Sequence, residues 1–314
     1  MIVYRGIDSI HRIPNAVLTA GTFDGVHKGH KAILNRLCEI ARQVNGQSVV
    51  LTFDPHPRKV LSSDAAGLRL LNTLKEKEIL LQKAGVQHLI ILNFTRQFSE
   101  MDSAEYVRKI LVERIGVKKL VIGYDHRFGK GRGGSFAELS EMSGEYGFDV
   151  EEIPPQEIEN VAVSSTKIRN ALAVGDVKTA SGYLGYNYSI TGKVEKGNQL
   201  GRKLNFPTAN ITPNDEMKLI PENGVYAVRI AMNGVLKNGM CNIGNRPTLG
   251  GDECRTIECH IFDFNQDIYG MELCVEFIEK LRDEVKFESL DALKTQLEAD
   301  KLRSLDILSH SLDV

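Results

Sequence analysis

At 314 residues the chain is long for one hydrophobic core, so two domains are expected. Its 42% hydrophobic and 25% charged residues are the balance of an ordinary soluble globular protein, and a net charge of -2 argues against a large nucleic-acid footprint. No stretch approaches the roughly 20 apolar residues of a bilayer span. The opening Met1 to Asp8 lacks an apolar signal core and the five cysteines form no C-x-x-C pair, so a cytoplasmic protein with reduced thiols is expected.

From about residue 15 to 185, short apolar runs alternate with helical patterns. Val17 to Ala20 reads as a strand and is followed by a helix from near His30 to Gln43. Ser48 to Phe53 is a second strand, rich in β-branched residues. Thr73 can cap a helix that ends near Gly85, before the strand His88 to Leu92. Asp102 or Ser103 caps the next helix, Gly116 ends it, and Leu120 to Gly123 and Asp149 to Ile153 are further strands. Apolar strands separated by helices predict an α/β domain with a parallel, Rossmann-like sheet, whose ligands bind at the carboxyl ends of the strands. After about residue 186 the rhythm changes. Ser189 to Val194, Val225 to Met232, Val235 to Ile243, Thr256 to Phe264 and Leu273 to Ile278 read as strands separated by turn signals such as Asn233-Gly234. Leucines at helical spacing mark Leu290 to Leu308. The expectation is a small antiparallel β-barrel with a C-terminal helix, and domains spanning 1–185 and 186–314.

Three groups of residues carry chemistry. The first is Gly21-Thr22-Phe23-Asp24-Gly25-Val26-His27-Lys28-Gly29-His30, a glycine turn that follows a strand and opens a helix. His27 and His30 are three residues apart and share a face, at a helix N-terminus that favours phosphate. Two imidazoles and helix amides can stabilise charge as pyrophosphate leaves the α-phosphate of ATP. Distant partners are Asp54-Pro55-His56-Pro57 and Ser164-Ser165-Thr166-Lys167-Ile168-Arg169; the second offers hydroxyls and cations for the β- and γ-phosphates. This combination resembles the H-x-G-H nucleotidyltransferase superfamily.

The second, Gly129 to Gly134, formally matches the G-x-G-x-x-G dinucleotide fingerprint of an oxidoreductase. However, Tyr124 to Phe128 intervene between strand and glycines, and Arg127, Lys130 and Arg132 supply more cation than a pyrophosphate on helix amides needs; a basic loop over nucleotide phosphates fits better. Cys254, Cys259 and His260 lack a second ligand pair at finger spacing, so no zinc site is expected.

The third runs from Gly192 to Asn210. Gly197, Gly201, Arg202 and Lys203 can wrap phosphates, and Thr208 and Asn210 are hard oxygen ligands at i, i+2 on one side of an extended chain. Pro-Thr-Ala-Asn after this loop closely resembles the riboflavin kinase signature. Matches at Asn242 to Thr248, Glu258 to Phe262, Asp267 to Gly270, Val275 to Phe277 and Leu281-Arg282 follow in order. Nearly the whole chain therefore resembles the bacterial bifunctional riboflavin kinase/FAD synthetase family. The resemblance implies an ATP- and Mg²⁺-dependent transferase that phosphorylates riboflavin to FMN and adenylylates FMN to FAD, with these small molecules as partners and neither nucleic acid nor membrane. It implies Glu258 as the base of the kinase, with Thr208 and Asn210 on metal and ATP. His27 and His30 then act in adenylyl transfer, with Gly21, Phe23, Asp24, Gly29, Ser164, Ser165, Thr166 and Arg169 around the nucleotide. Asp54, His56, Asp125, Phe128 and Arg246 are assigned to flavin. The chain departs from the family pattern at Asn205, where glycine is common, and at Leu184 to Tyr188, which lacks the usual Arg-Pro.

Overall fold

The computed structural model describes residues 1–61, 67–123, 128–130, 134–153, 163–197, 201, 204, 206–247 and 253–310, apart from the side chains of 246, 247, 253 and 254. The chain forms two compact units, Met1–Ser164 and Ser165–Val314.

The first unit is built on strands β1 (Ile2–Arg5), β2 (Ala16–Ala20), β3 (Gln47–Asp54), β4 (His88–Asn93), β5 (Val117–Gly123) and β6 (Asp149–Ile153). Neighbours in the order β1-β4-β3-β2-β5-β6 all pair in parallel. Residues alternate between the faces as the pleat requires. Leu18, Leu51 and Ile90 join one core with Ile110 and Leu120, whereas Val17, Val50 and Leu89 pack with Leu34, Leu37 and Ile40 of the helix Lys28–Gln43. Strands covered on both faces need apolar residues on both, hence the near-continuous hydrophobic runs. The expected caps are present: Thr73 and Glu76 form a capping box on Leu74–Lys83, Asp102 accepts from the Glu105 N–H, and Gly116 ends the next helical stretch at φ +76. The order of strands reverses between β2 and β5, so the loop leaving β2 opens at the position where such sheets bind ligands.

The second unit begins with helices Ser165–Ala173 and Val177–Leu184. A closed antiparallel barrel follows, of β7 (Ser189–Glu195), β8 (Ala209–Pro213), β9 (Gly224–Met232), β10 (Val235–Pro247), β11 (Glu253–Ile261) and β12 (Glu272–Arg282), in the order β10-β11-β8-β7-β12-β9. Asn233 and Gly234 turn β9 into β10 with φ of 50 and 79, the left-handed pair that a tight hairpin demands. The helix Leu290–His310 lies on the outer wall, with Leu297, Leu305 and Leu308 against Phe206, Met240 and Phe262.

That helix is fastened by a buried ion pair. Arg282 donates from Nε and Nη2 to the Asp300 carboxylate at 2.8–3.1 Å, Gln296 adds a bond of 2.9 Å, and Asp300 is 3% exposed. Removing one partner strands the other charge in a poorly solvated place. Asp300→Ala is expected to lower stability by about 3 kcal/mol, to be measured by urea unfolding; a cost under about 1 kcal/mol would mean that the pair behaves as an exposed one.

Candidate active sites

The loop from Gly21 to His27 is held in an unusual shape. Phe23 and Val26 adopt φ of 46 and 36, around Gly25 at φ 91, conformations that cost free energy for a bulky and a β-branched side chain. Such strain collects where function over-determines the backbone. Asp24, 2% exposed, accepts the N–H groups of Leu71 and Asn72 at 3.0 and 3.3 Å, which ties the loop to the approach of the next helix. His27 is the N-cap of Lys28–Gln43: its Nδ1 accepts the His30 N–H at 3.3 Å. A ring nitrogen that accepts carries no proton, so the hydrogen of neutral His27 sits on Nε2, where it can be donated. The rings of His27 and His30 stack with centroids 3.6 Å apart, and Phe23 lies 5.1 Å from His30.

Both histidines are kept neutral. Burial lowers the His27 pKa to about 4 against the pull of Asp24. Burial also drives His30 well below its ordinary value, helped by His27 and by the cation of Lys77. His30 Nδ1 is buried without a hydrogen-bond partner among the described residues. The structure thus brings together Gly21, Phe23, Asp24, His27, Gly29 and His30, with Asp54 at the end of β3. His56 follows, its Nδ1 accepting the Arg58 N–H. Phe128 joins a chain of aromatic rings through Tyr106 and Phe98 to Phe53 and Phe94, with centroids 5.4–6.2 Å apart. Lys77 escaped the reading of the sequence, because Lys-Glu-Lys on an amphipathic helix looks like a solvated face.

Of the glycine run, residues 131–133 lie outside the described residues, and its described ends meet each other. Phe128 and Gly134 exchange backbone hydrogen bonds at 2.9 and 3.3 Å, Gly134 packs on the Phe128 ring, and the following helix Phe136–Tyr146 is capped by Ser135, past the glycines. Lys130 pairs with Glu100 at 2.9 Å. Asp125, Arg202 and Lys203 lie outside the described residues, as does the side chain of Arg246. Ser164 precedes the helix Ser165–Ala173, with Ser165, Thr166 and Arg169 along its first turns.

In the barrel, Glu258 on β11 stands beside Asn210 of β8 and Asn242 of β10 in the strand register, so the three project from one face of the sheet. The alternate row, Ala209, Cys259 and Cys241, fills the interior. Thr208 Oγ1 donates to Glu258 Oε2 at 3.4 Å. Glycines permit close passage here: a Cβ on Gly197 would sit 2.2 Å from the Asn210 amide, and one on Gly201 2.2 Å from the Phe206 carbonyl. His260 donates from Nδ1 to the Pro207 carbonyl at 2.8 Å, fixing the start of the Pro-Thr-Ala-Asn segment. Beside Glu258 and Thr208 a cavity of about 270 Å³ opens between the barrel wall and the C-terminal helix, lined by Phe206, Val225, Met240, Leu293 and Leu297.

This geometry has close relatives. An FAD synthetase family model matches residues 9–167 and a riboflavin kinase model residues 184–308. A bifunctional riboflavin kinase/FMN adenylyltransferase of Haemophilus influenzae is 41% identical over 302 residues, 96% of this chain and 97% of that one. The protein of the same description from Escherichia coli K12 is 38% identical over 305 residues, 96% of each. A solved structure described as a macrolide-efflux protein from Streptococcus pneumoniae matches with a TM-score of 0.89 at 32% identity, over 98% of this chain and 99% of that one. Efflux describes that protein; here no helix among the described residues is long and apolar enough to cross a membrane. Two family models in tandem and full-length relatives at this identity place the chain in the bifunctional riboflavin kinase/FMN adenylyltransferase family.

Proposed function

We propose that this chain phosphorylates riboflavin to FMN and adenylylates FMN to FAD, with residues 1–185 serving adenylyl transfer and 186–314 the kinase. The observation that carries the reading is the coexistence of the His27–His30 turn and the Thr208–Glu258 pair, one within each matched family segment. In the kinase, the cavity beside Glu258 offers apolar walls to an isoalloxazine, and the Glu258 carboxylate takes the proton of the ribityl hydroxyl as it attacks the γ-phosphate of ATP. Thr208 and Asn210 bring neutral oxygens to the same edge, and among the described residues no group of three His, Cys, Asp or Glu could hold a metal. That donor set suits Mg²⁺ carried largely by nucleotide phosphates, which would supply charge neutralisation. Thr208 and Asn210 would hold it, and Gly197 and Gly201 let the backbone approach the phosphates.

In the adenylyltransferase, His27 Nε2–H, His30 and the free amides at the start of Lys28–Gln43 point donors at the α-phosphate. Neutral rings suit this work, since a protonated His27 would lose the bond that caps its own helix. Phe53, Phe94, Phe98 and Phe128 are partly exposed beside Asp54 and His56 and would stack the flavin. Ser165, Thr166 and Arg169 are assigned to the outer phosphates. Action in the cytoplasm, where ATP is supplied, is part of this reading.

The test is product analysis over time with riboflavin, ATP and Mg²⁺. FMN first and FAD later, with ADP and pyrophosphate released, is expected. Untouched riboflavin with adenylylation of added FMN would remove the kinase assignment, and no reaction of either flavin would remove both.

A further inference from the structure

Lys77 is 7% exposed, yet its ammonium makes no hydrogen bond or ion pair with any described residue. The contrast with Lys218, 3% exposed, is instructive: that cation lies over the Tyr188 ring, 4.6 Å from its centroid. Burying a charge without a partner costs free energy, and a position that keeps one calls for a ligand. Lys77 and Leu81 share the inward face of Leu74–Lys83, and the bonds from Leu71 and Asn72 to Asp24 hold the start of this segment against the β2 loop. The groups that act on the ammonium are Asp24 from that loop, His30 from the first turn of Lys28–Gln43 and Asp54 from the end of β3. Nζ is not sealed from solvent, in contrast to His30 Nδ1.

We propose that Lys77 contacts the phosphates of ATP bound at the His27–His30 turn and stabilises the charge that develops during adenylyl transfer. The terminal phosphate oxygen of FMN forms a bond to the α-phosphorus, the bond from the α-phosphorus to the oxygen bridging to the β-phosphate breaks, and the electron pair leaves with pyrophosphate. No proton needs to move. The histidines and helix amides donate neutral hydrogen bonds; Lys77 adds the full positive charge that they lack, and Asp24 and Asp54 keep that charge in place. This rests on the His27–His30 turn being the ATP site, which a His27 variant tests separately.

The experiment compares Lys77→Met and Lys77→Arg in the full chain. Lys77→Met is expected to lower kcat/KM for FAD formation from FMN by about 10²-fold, with riboflavin phosphorylation by the same preparation unchanged. Its melting temperature should stay close to that of the wild type, because the thioether has a volume similar to that of the buried lysine stem. Lys77→Arg, which keeps the charge, should retain at least about a tenth of FAD formation. Unimpaired FAD formation in Lys77→Met would overturn the proposal. A Met variant that melts lower and is inactive, beside an equally inactive Arg variant, would also overturn it and assign Lys77 to packing. Loss of FAD formation in His27 variants alone would leave the phosphate turn standing without Lys77.

Discussion

Glu258→Gln is expected to lower FMN formation from riboflavin by about 10²–10⁴-fold, while FAD formation from supplied FMN stays at the wild-type rate. The amide preserves shape and can still receive the Thr208 hydroxyl bond, seen at 3.4 Å on Oε2. The carboxylate's basicity and negative charge are removed. Glu258 is flanked by two asparagines across the strands, Asn210 and Asn242, so no carboxylate stands directly opposite it; Glu195 lies one strand further along the row, beside Asn210. Glu284, which also lines the cavity, packs near Gly244, where a Cβ would meet its Oε1 at 2.1 Å. The measurement is kcat for ADP release with riboflavin, alongside FAD yield from FMN. Equal loss of both activities would sink the idea of two independent sites, and full kinase activity would move the base to another residue.

Much of this architecture can be read from the chain, because covered strands and capped helices impose strong local patterns. The β2, β3 and β4 runs, the Thr73 cap, the Gly116 stop and the Asn233-Gly234 turn all rest on short-range chemistry. What escapes is decided at long range. β1 is a four-residue edge strand, unremarkable until it pairs with β4, and β8 reads as a polar loop because Ala-Asn-Ile-Thr-Pro has no apolar run of its own. The β10–β11 hairpin continues to Pro247 and Glu253, so β11 starts before the expected Thr256 and stops at Ile261, the partner of Gly239. The helix Val177–Leu184 likewise escapes the sequence pattern, although Asp176 caps it. In the site, the stacked histidines follow from their spacing, but the burial of Lys77 does not. A lysine between glutamates signals solvent unless the loop that meets it is known, and that loop is held by two backbone bonds to Asp24, 47 and 48 residues away.

His27→Asn separates the cap from the chemistry at the same atom. Asparagine is a good N-cap acceptor, so the bond from the His30 N–H can be kept. The Nε2–H donor and the stacked ring, 3.6 Å from its neighbour, are lost. FAD formation is expected to fall by about 10²–10³-fold, with FMN formation unchanged. The same variant has a signature in acid. In the wild type the folded-state pKa of His27 is lowered to about 4 from an ordinary 6.5, so between these values the unfolded chain binds a proton that the native one refuses. The stabilisation from a neutral His27 is therefore fully present above pH 6.5 and is lost as the pH falls toward 4, by about 3 kcal/mol in all. Asparagine does not titrate, so the stability of His27→Asn relative to wild type should improve by that amount between pH 7 and pH 4, as read by urea unfolding followed by circular dichroism. A difference independent of pH would mean that His27 is not buried as a neutral ring. Retained FAD synthesis, on the other hand, would mean that the turn it caps is not where ATP reacts.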